Sequence, residues 1–329
     1  MSTGRVVVDV LLTPDDLRAT LVDDVRRGLS TPPFHLPPKW FYDQRGSELF
    51  DRITTLPEYY PTEAERAALR GAVGSLVARA NVDTIVELGS GSSDKTRVLL
   101  DAFTPTGVHR YVPFDVSESA LRDAAVHLVE RYPTLFVHAV VGDFDQHLRA
   151  IPQDGDRLLA FLGGTLGNYP PDARAQLLND VAGTLRGGEW LLLGVDLVKR
   201  ADRITAAYND AAGVTAAFNR NVLEVLNREL DANFDPLQFE HVAVWNAEHE
   251  WIEMRLRSII DATYTVTALN LDVTFAAGSD LLTEISAKFR IDRLHRELST
   301  AGFRPDEWWT DPSGSFALVL AERDVTAAP

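Results

Sequence analysis

From residue 62 to residue 197, short apolar segments alternate regularly with segments of helical periodicity. The apolar segments are nearly continuous apolar runs, and the first is also β-branched, which is typical of parallel strands buried on both faces. They are DTIVELG (83–89), RYVPFDV (110–116), LFVHAVVGDF (135–144), RLLAFLGGT (157–165) and EWLLLGVDL (189–197). Helices between successive strands predict crossover connections, so we expect an α/β protein with a doubly wound, Rossmann-like sheet.

Charge and composition argue against several classes of function. The net charge of −16 disfavours a nucleic-acid partner. The chain has no cysteine and its eight histidines show no metal-ligand spacing, so we predict no metal. No apolar run approaches the roughly 18 residues of a membrane span, and the N-terminal segment carries Asp9, unlike a signal peptide. We therefore expect a cytoplasmic protein without a membrane partner, and a monomer, since no exposed apolar stripe is obvious.

The glycine-rich turn that ends the first of these strands, IVELGSGSSDKT at 85–96, narrows the choice of ligand. A P-loop and a dinucleotide fingerprint both require glycine where Asp94 stands, and aspartate would place negative charge beside a phosphate. The remaining pattern, Glu87-Leu88-Gly89-Ser90-Gly91, is similar to the first motif of class I S-adenosylmethionine-dependent methyltransferases. Its glycines would let the backbone approach that cofactor closely.

Acidic residues at the ends of the next two strands support the same ligand. Asp115 could accept hydrogen bonds from the ribose hydroxyls, and Asp143 from the adenine amino group, with Phe144 covering the ring face. A single such acid could instead be solvated or cap a helix. Lys95 lies near a helix N-terminus, where its charge opposes the helix dipole, so we predict that it contacts the cofactor carboxylate. The cofactor residues expected from this turn and these strand ends are Glu87, Gly89, Ser90, Lys95, Asp115, Asp143 and Phe144.

The pattern changes after residue 197. A long helical region at 200–230 precedes strand-like alternation at 241–275, and a helix at 291–301 precedes two strands. A helix and a hairpin commonly complete a class I methyltransferase sheet, so we assign 62–197 and 288–323 to that domain. Residues 8–61 and 198–287 would then form a second, α+β, substrate-binding domain. Thr62 is expected to cap a helix, with Glu65 at the capping-box position.

Several longer stretches together resemble one family. They are PPKWFYDQRGSELFDRITTLPEYYPTEAE (37–65), VELGSGSSDKT (86–96), FLGGTLGNY (161–169), YNDAAGVTAAFNRNVL (208–223) and LLTEISAKFR (281–290). The resemblance is to the L-histidine Nα-methyltransferases of ergothioneine biosynthesis, of the actinobacterial type. It covers residues from about 23 to 320 and implies three successive methyl transfers from S-adenosylmethionine to the α-amino group of L-histidine, giving hercynine.

The resemblance also implies roles for individual residues. Tyr59 matches a tyrosine at the amino and carboxylate end of the substrate, Asn168 an asparagine on the α-amino group, and Tyr208 a tyrosine on the carboxylate. Tyr59, Asn168 and Tyr42 are the expected catalytic residues. The other implied contacts are Glu284 and Ser286 on the imidazole, Phe50 and Tyr42 lining the substrate pocket, Met254 as a pocket wall, and Gly163 and Thr165 at the cofactor.

The residues themselves are consistent with a histidine ligand. Glu284 and Ser286 are two apart in an extended segment, so their side chains share a face. A carboxylate beside a hydroxyl suits a ring with one N–H and one lone pair, or a ring with two N–H groups. The alternative is that Glu284 pairs with Lys288 or Arg290 at the surface. Trp40 and His138 are interpreted as packing residues, and His241 and His249 as surface residues.

Direct displacement at the methyl group requires alignment rather than covalent catalysis. Tyr59 and Asn168 would orient the amine, and we assign no general base. Three alternatives remain open: a methyltransferase acting on another amino acid or small amine, a non-catalytic protein that binds S-adenosylmethionine, and a nicotinamide dehydrogenase, which Asp94 opposes. An assay of the twenty amino acids with labelled cofactor separates the first from histidine methylation, and absent turnover with tight cofactor binding would indicate the second.

Overall fold

The computed structural model describes residues 4–91 and 94–324. Its strands are β1 Val6–Val10, β2 Phe34–His35, β3 Thr84–Leu88, β4 Arg110–Asp115, β5 Phe136–Val141, β6 Arg157–Phe161, β7 Trp190–Asp196, β8 Phe239–Asn246, β9 Trp251–Ser258, β10 Ala262–Val266, β11 Leu271–Phe275, β12 Asp280–Ala287, β13 Phe303–Thr310 and β14 Phe316–Arg323. Its α-helices are α1 Pro14–Leu29, α2 Gln44–Ile53, α3 Pro61–Arg79, α4 Asp94–Phe103, α5 Glu118–Arg131, α6 Phe144–His147, α7 Pro171–Thr184, α8 Ala201–Ala207, α9 Val214–Leu230 and α10 Ile291–Thr300.

The described chain divides into two compact units, each assembled from separate segments. Unit 1 takes its residues from segments 1–13, 61–197 and 289–329. Unit 2 comprises segments 14–60 and 198–288.

Unit 1 is built around an eight-stranded sheet with the order β1-β5-β4-β3-β6-β7-β14-β13. The first six strands in this order run parallel, whereas β14 is antiparallel to β7 and β13 is antiparallel to β14. Every residue of β3 is buried, as a central strand covered on both faces requires. The predicted α/β doubly wound sheet is confirmed.

The N-terminal strand β1 corrects the predicted domain boundary at residue 8. The segment VVVDV pairs in parallel with β5, from Val6 opposite Val137 to Val10 opposite Val141. Val8 packs against a small buried cluster, while Asp9 lies on the other face and its Oδ2 is 2.7 Å from His138 Nε2. This alternation gives the short segment one apolar face, so it closes an edge of the unit 1 sheet.

The start of α3 also differs from the expectation. The helix begins at Pro61, which suits the first turn because that position needs no N–H donor. Glu65 is only 1% exposed, and its carboxylate bonds to other elements. The predicted capping box at Thr62 and Glu65 is therefore wrong.

Unit 2 contains a four-stranded sheet with the order β2-β12-β9-β8 and a separate β10-β11 hairpin. Helices α1, α2, α8 and α9 complete it, and their apolar residues share one core with the strands. β12 is antiparallel to β9, with Glu284 opposite Met254 and Ser286 opposite Ile252. This register, regular from Glu284 onward, orders the side chains described below.

The long helical region predicted at 200–230 is divided into α8 and α9. Gly213 adopts a left-handed conformation with φ 72°, which glycine tolerates best. The Asp210 carboxylate accepts hydrogen bonds from the backbone N–H of Val214 at 2.9 Å and of Thr215 at 2.7 Å. These bonds satisfy donors at the start of α9 and leave Tyr208 at the end of α8.

Candidate active site

The turn between β3 and α4 brings backbone to the carboxyl edge of the unit 1 sheet. Gly89 and Gly91 have φ of 69° and 47°, a region that side chains other than glycine rarely occupy. A Cβ at position 89 would lie 3.4 Å from Cζ of Phe144. Gly89 N–H donates to the carbonyl of Phe114 at 2.8 Å, which ties the turn to the end of β4.

Glu87 is buried beneath this turn. Its Oε2 accepts hydrogen bonds from the hydroxyls of Thr96 and of Tyr111, the latter at 2.6 Å. Burial raises the pKa of the Glu87 carboxyl to about 7, although both hydrogen bonds act in the opposite direction. These contacts link β3 to α4 and β4, so Glu87 stabilises the turn that connects β3 to α4.

Ser90 presents an unsatisfied polar atom at the same turn. The residue is 7% exposed, and its Oγ has no hydrogen-bond partner among the described residues. Leaving a buried hydroxyl unpaired is unfavourable, so the position suits a ligand that supplies the missing partner.

Acids stand at the end of β4 and just after β5, close to the positions predicted. The half-buried Asp115 carboxylate accepts from Gly91 N–H at 3.1 Å and from Ser117 N–H at 3.0 Å, and burial raises its pKa. Asp143 is buried and caps α6 through Asp145 N–H at 2.9 Å. The helix-capping role considered for a lone acid is therefore real for Asp143, alongside any role toward a ligand.

Phe144 places an aromatic face beside these acids. Its ring is stacked against Phe114 with centroids 5.6 Å apart, and it meets Phe161 edge-on at the same separation. Phe144 is only half-buried, so part of the side chain remains available for contact.

Lys95 is already paired. Its Nζ lies 2.6 Å from Glu65 Oε2, and the other oxygen of Glu65 accepts from Gly163 N–H at 2.7 Å. Gly194 leaves room for that carboxylate, since a Cβ there would come within 2.3 Å of Glu65 Oε1. Thr165 lies beyond, with its hydroxyl 3.4 Å from the carbonyl of Leu162. The sequence analysis missed Glu65 as a site residue because its spacing matched a capping box.

The carboxyl edge of unit 1 thus offers what S-adenosylmethionine requires. It combines a glycine backbone, an unpaired buried hydroxyl, two strand-end carboxylates and an aromatic face. Among the residues described at 4–91 and 94–324, no group of three or more His, Asp and Glu residues could hold a metal ion.

The expected substrate residues of unit 2 form a chain of aromatic contacts. Tyr42 meets Phe50 edge-on with ring centroids 5.5 Å apart, and Phe50 meets Tyr59 at 6.2 Å. Tyr59 in turn meets Tyr208 at 6.2 Å. Phe218, which the sequence analysis did not single out, lies 5.5 Å from Tyr42 and 5.8 Å from Phe50. Its place in an amphipathic helix gave no signal beyond core packing.

Glu284 lies in unit 2 opposite Met254, whose side chain is buried. The Glu284 carboxylate is half-buried and forms no hydrogen bond or ion pair with any described residue. Burial raises its pKa to about 7, and the nearby charge of Lys288 opposes this rise. The alternative of a surface ion pair with Lys288 or Arg290 is not found, and Lys288 is itself buried at 3% exposure.

Ser286, Tyr208 and Lys288 are mutually hydrogen-bonded. The Tyr208 hydroxyl donates to Ser286 Oγ, and Lys288 Nζ donates to both oxygens, with all three distances 2.9 Å. The ammonium group also lies 4.7 Å from the centroid of the Tyr208 ring. The alternation of residues 284, 286 and 288 was a signal in the sequence, but Lys288 was considered there only as an alternative surface partner of Glu284.

His241 hydrogen-bonds to the backbone of Tyr208, so the expectation that His241 lies at the surface is wrong. It is buried rather than exposed, with Nε2 donating to the carbonyl of Tyr208 at 2.8 Å and Nδ1 2.9 Å from Asn219 Nδ2. Burial lowers the pKa of the His241 imidazole.

Asn168 ends the 3-10 turn Thr165–Asn168 that follows β6. It is half-buried, and its side-chain amide has no hydrogen-bond partner among the described residues. Trp40 is a packing residue as predicted, because it is buried and donates to Asp24 at 3.0 Å. His249 is exposed, as expected.

A mostly parallel sheet that ends in an antiparallel hairpin, with a glycine turn and acids at its carboxyl edge, defines a class I S-adenosylmethionine-dependent methyltransferase. The model of the histidine-specific, S-adenosylmethionine-dependent methyltransferase family matches residues 21–323, and the chain belongs to this family.

Curated relatives agree with this assignment. Histidine N-alpha-methyltransferase from Mycolicibacterium smegmatis is 53% identical over 313 residues, covering 95% of this chain and 98% of that protein. The protein of the same name from Mycobacterium tuberculosis is 51% identical over 320 residues, covering 97% and 100%. Ergothioneine biosynthesis protein 1 from Schizosaccharomyces pombe is 30% identical over 227 residues, covering 65% of this chain and 29% of that protein. None of the helices described in this chain has the length and apolar character needed to cross a membrane.

Proposed function

We propose that this enzyme transfers three methyl groups in succession from S-adenosylmethionine to the α-amino group of L-histidine. The product is hercynine, and the reaction is the first step of ergothioneine biosynthesis. The observation that carries the proposal is the half-buried Glu284 carboxylate, which has no partner among the described residues and lies on the same strand face as Ser286. Such a carboxylate favours a ligand with an N–H group, as imidazole has.

The residues of the unit 1 edge are assigned to the methyl donor. Asp115 accepts from the ribose hydroxyls, Asp143 from the adenine amino group, and Phe144 covers the adenine ring. Gly89, Ser90, Gly163 and Thr165 approach the rest of the molecule, and the Lys95–Glu65 pair lies beside Gly163. When bound, S-adenosylmethionine supplies a methyl carbon on a positively charged sulfur, which a neutral amine can attack directly.

The expected substrate residues orient the amino acid. Glu284 and Ser286 hold the imidazole, and Met254 and Phe50 bound the space around it. The Tyr208 hydroxyl donates its single proton to Ser286 Oγ, so we assign Tyr208 to holding Ser286 rather than to the substrate carboxylate that the resemblance implies. Tyr59 and Asn168 are assigned to the amino group, and Tyr42 is the third residue assigned to catalysis. Alignment of reacting atoms can lower a barrier by up to about 7–11 kcal/mol, so these contacts are the main catalytic contribution.

Each transfer requires a neutral nitrogen with a lone pair, and each of the first two leaves a proton that must depart before the next. A phenol and an amide are not basic near neutral pH. Tyr59 and Asn168 therefore act by positioning, and the departing proton passes to solvent.

The direct test is mass spectrometry of L-histidine incubated with the protein and S-adenosylmethionine. We expect a product carrying three additional methyl groups on the α-nitrogen, located by fragmentation. The other nineteen protein amino acids serve as controls and are expected to remain unmodified. A methyl group on an imidazole nitrogen, or preferential methylation of another amino acid, would contradict the proposal.

A further inference from the structure

Among the expected substrate residues of unit 2 lies a buried lysine, Lys288, to which the assignments above give no role. Lys288 follows β12 directly and is 3% exposed. Its ammonium group donates to the hydroxyls of Tyr208 and Ser286, both at 2.9 Å. A buried ammonium requires such partners to remain charged. In this place it constrains the two side chains expected to touch the substrate.

The hydrogen bonds in this cluster run from Lys288 and from Tyr208 toward Ser286. An ammonium group carries protons but no lone pair, so Lys288 is the donor in both contacts. The Tyr208 hydroxyl accepts from Lys288 and donates its own proton to Ser286 Oγ at 2.9 Å. Ser286 Oγ therefore accepts two hydrogen bonds, which uses both lone pairs of a hydroxyl oxygen.

What Ser286 retains is one proton. No described residue accepts a hydrogen bond from the Ser286 hydroxyl. The Glu284 carboxylate, two residues earlier on the same face, has no donor among the described residues. Ser286 and Glu284 thus offer one hydrogen-bond donor and one acceptor, side by side, to a ligand at this face of β12.

We propose that Lys288 is a positioning residue that makes Ser286 a donor-only group, so that the site selects a ring with one lone pair and one N–H. This inference rests on the proposed function and specifies its ligand as the neutral imidazole in a single tautomer. The lone-pair nitrogen faces Ser286 and the N–H faces Glu284. An imidazolium, with N–H on both nitrogens, would place donor against donor at Ser286.

A double-mutant cycle tests this role. Histidine affinity is measured by calorimetry with S-adenosylhomocysteine present, at about pH 8, where free imidazole is neutral. The proteins are the unaltered chain, Lys288→Met, Ser286→Ala and the double variant. We expect Lys288→Met to weaken histidine binding by about tenfold. In the Ser286→Ala background, the same substitution is expected to have almost no further effect, because Lys288 acts through Ser286.

Additive effects of the two substitutions would overturn the proposal, since Lys288 would then act independently of Ser286. An unchanged affinity in Lys288→Met would overturn it as well. Affinity for S-adenosylhomocysteine is the folding control and is expected to stay constant. Should Lys288→Met be unstable, Lys288→Gln, which keeps a neutral donor, enters the same cycle with a smaller expected loss and the same dependence on Ser286.

The outcome is distinguishable from failure of the proposed function. Methylation of histidine by the unaltered chain, together with additive variant effects, would refute the role of Lys288 alone. Absence of histidine methylation would refute the proposed function itself.

Discussion

At the scale of single residues, the two candidate ligand-binding regions share one property: each contains a polar atom that the described protein leaves unsatisfied. In unit 1 it is Ser90 Oγ, and in unit 2 it is the Glu284 carboxylate. Unpaired buried polar groups reduce stability in the absence of a ligand. Substitutions that remove these polar atoms are therefore expected to weaken ligand binding without lowering the stability of the ligand-free protein.

Replacing Glu284 with glutamine is expected to weaken histidine binding about tenfold to a hundredfold, because a charge-assisted hydrogen bond is lost. Affinity for S-adenosylhomocysteine is expected to be unchanged. Calorimetry with each ligand measures both. Asp280→Asn is a matched control, since Asp280 lies on the same strand but pairs with Arg255 and Arg257. Unaltered histidine affinity in Glu284→Gln would remove Glu284 from the site.

Ser90→Ala is expected to leave the free energy of unfolding unchanged or slightly higher, because the lost hydroxyl has no partner among the described residues. The same substitution is expected to weaken S-adenosylhomocysteine binding about threefold to tenfold. Urea denaturation and calorimetry give the two quantities. Ser75→Ala, at an exposed position of α3, is the control for both. Loss of stability without loss of affinity would show that Ser90 has a purely structural role.

At the scale of elements, continuous apolar runs and helical periodicity predict most of unit 1. One of the helices expected between successive strands is α5, Glu118–Arg131, which connects β4 to β5. β1 was missed because it is only five residues long and contains Asp9, so its apolar pattern is weak. Its pairing with β5 also joins residues that lie far apart in the chain. The break between α8 and α9 was missed because its cause, hydrogen bonds from Val214 and Thr215 to Asp210, is visible only in three dimensions.

The candidate site was predictable to a similar extent. Motif positions place these acids near strand ends, and the structure has Asp115 at the end of β4 and Asp143 and Phe144 just after β5, at the start of α6. Local sequence could not indicate that Glu65 reaches from α3 to Lys95 and Gly163. Such contacts join residues far apart in the chain, so spacing rules do not detect them.

Gly194→Ala tests the connection that Glu65 makes between α3, α4 and the loop after β6. The new Cβ would lie 2.3 Å from Glu65 Oε1 and 3.3 Å from Phe316, so the carboxylate must move. We expect the free energy of unfolding to fall by about 1–3 kcal/mol. Gly74→Ala is the control, because nothing lies within 4 Å of its added Cβ. That helical substitution is expected to raise stability by about 0.5–1 kcal/mol. Equal effects of the two would contradict this account.

At the scale of the whole molecule, buried carboxyls make stability depend on pH. The Glu87 pKa is about 7 in the folded protein, against 4.5 for an ordinary glutamate. Between these values the folded state holds a proton that the unfolded state has lost. The stabilisation from this group is therefore complete below about pH 4.5 and disappears as the pH rises through 7.

Glu87→Gln removes that titration. From pH 4.5 to 7.5, we expect the unaltered chain to lose about 3 kcal/mol more of its unfolding free energy than the variant does. Urea denaturation across this range measures the difference. Glu118→Gln, at an exposed site, is the control and is expected to follow the unaltered chain. Parallel curves for Glu87→Gln and the unaltered chain would contradict a raised pKa.

The position of β14 constrains how the molecule is made. This strand is the last to be synthesised in the described chain, yet it lies between β7 and β13 rather than at an edge. During translation, one edge of β7 therefore stays unpaired until β14 has been synthesised. A nascent polypeptide stalled between β7 and β14 would carry an open, aggregation-prone strand edge.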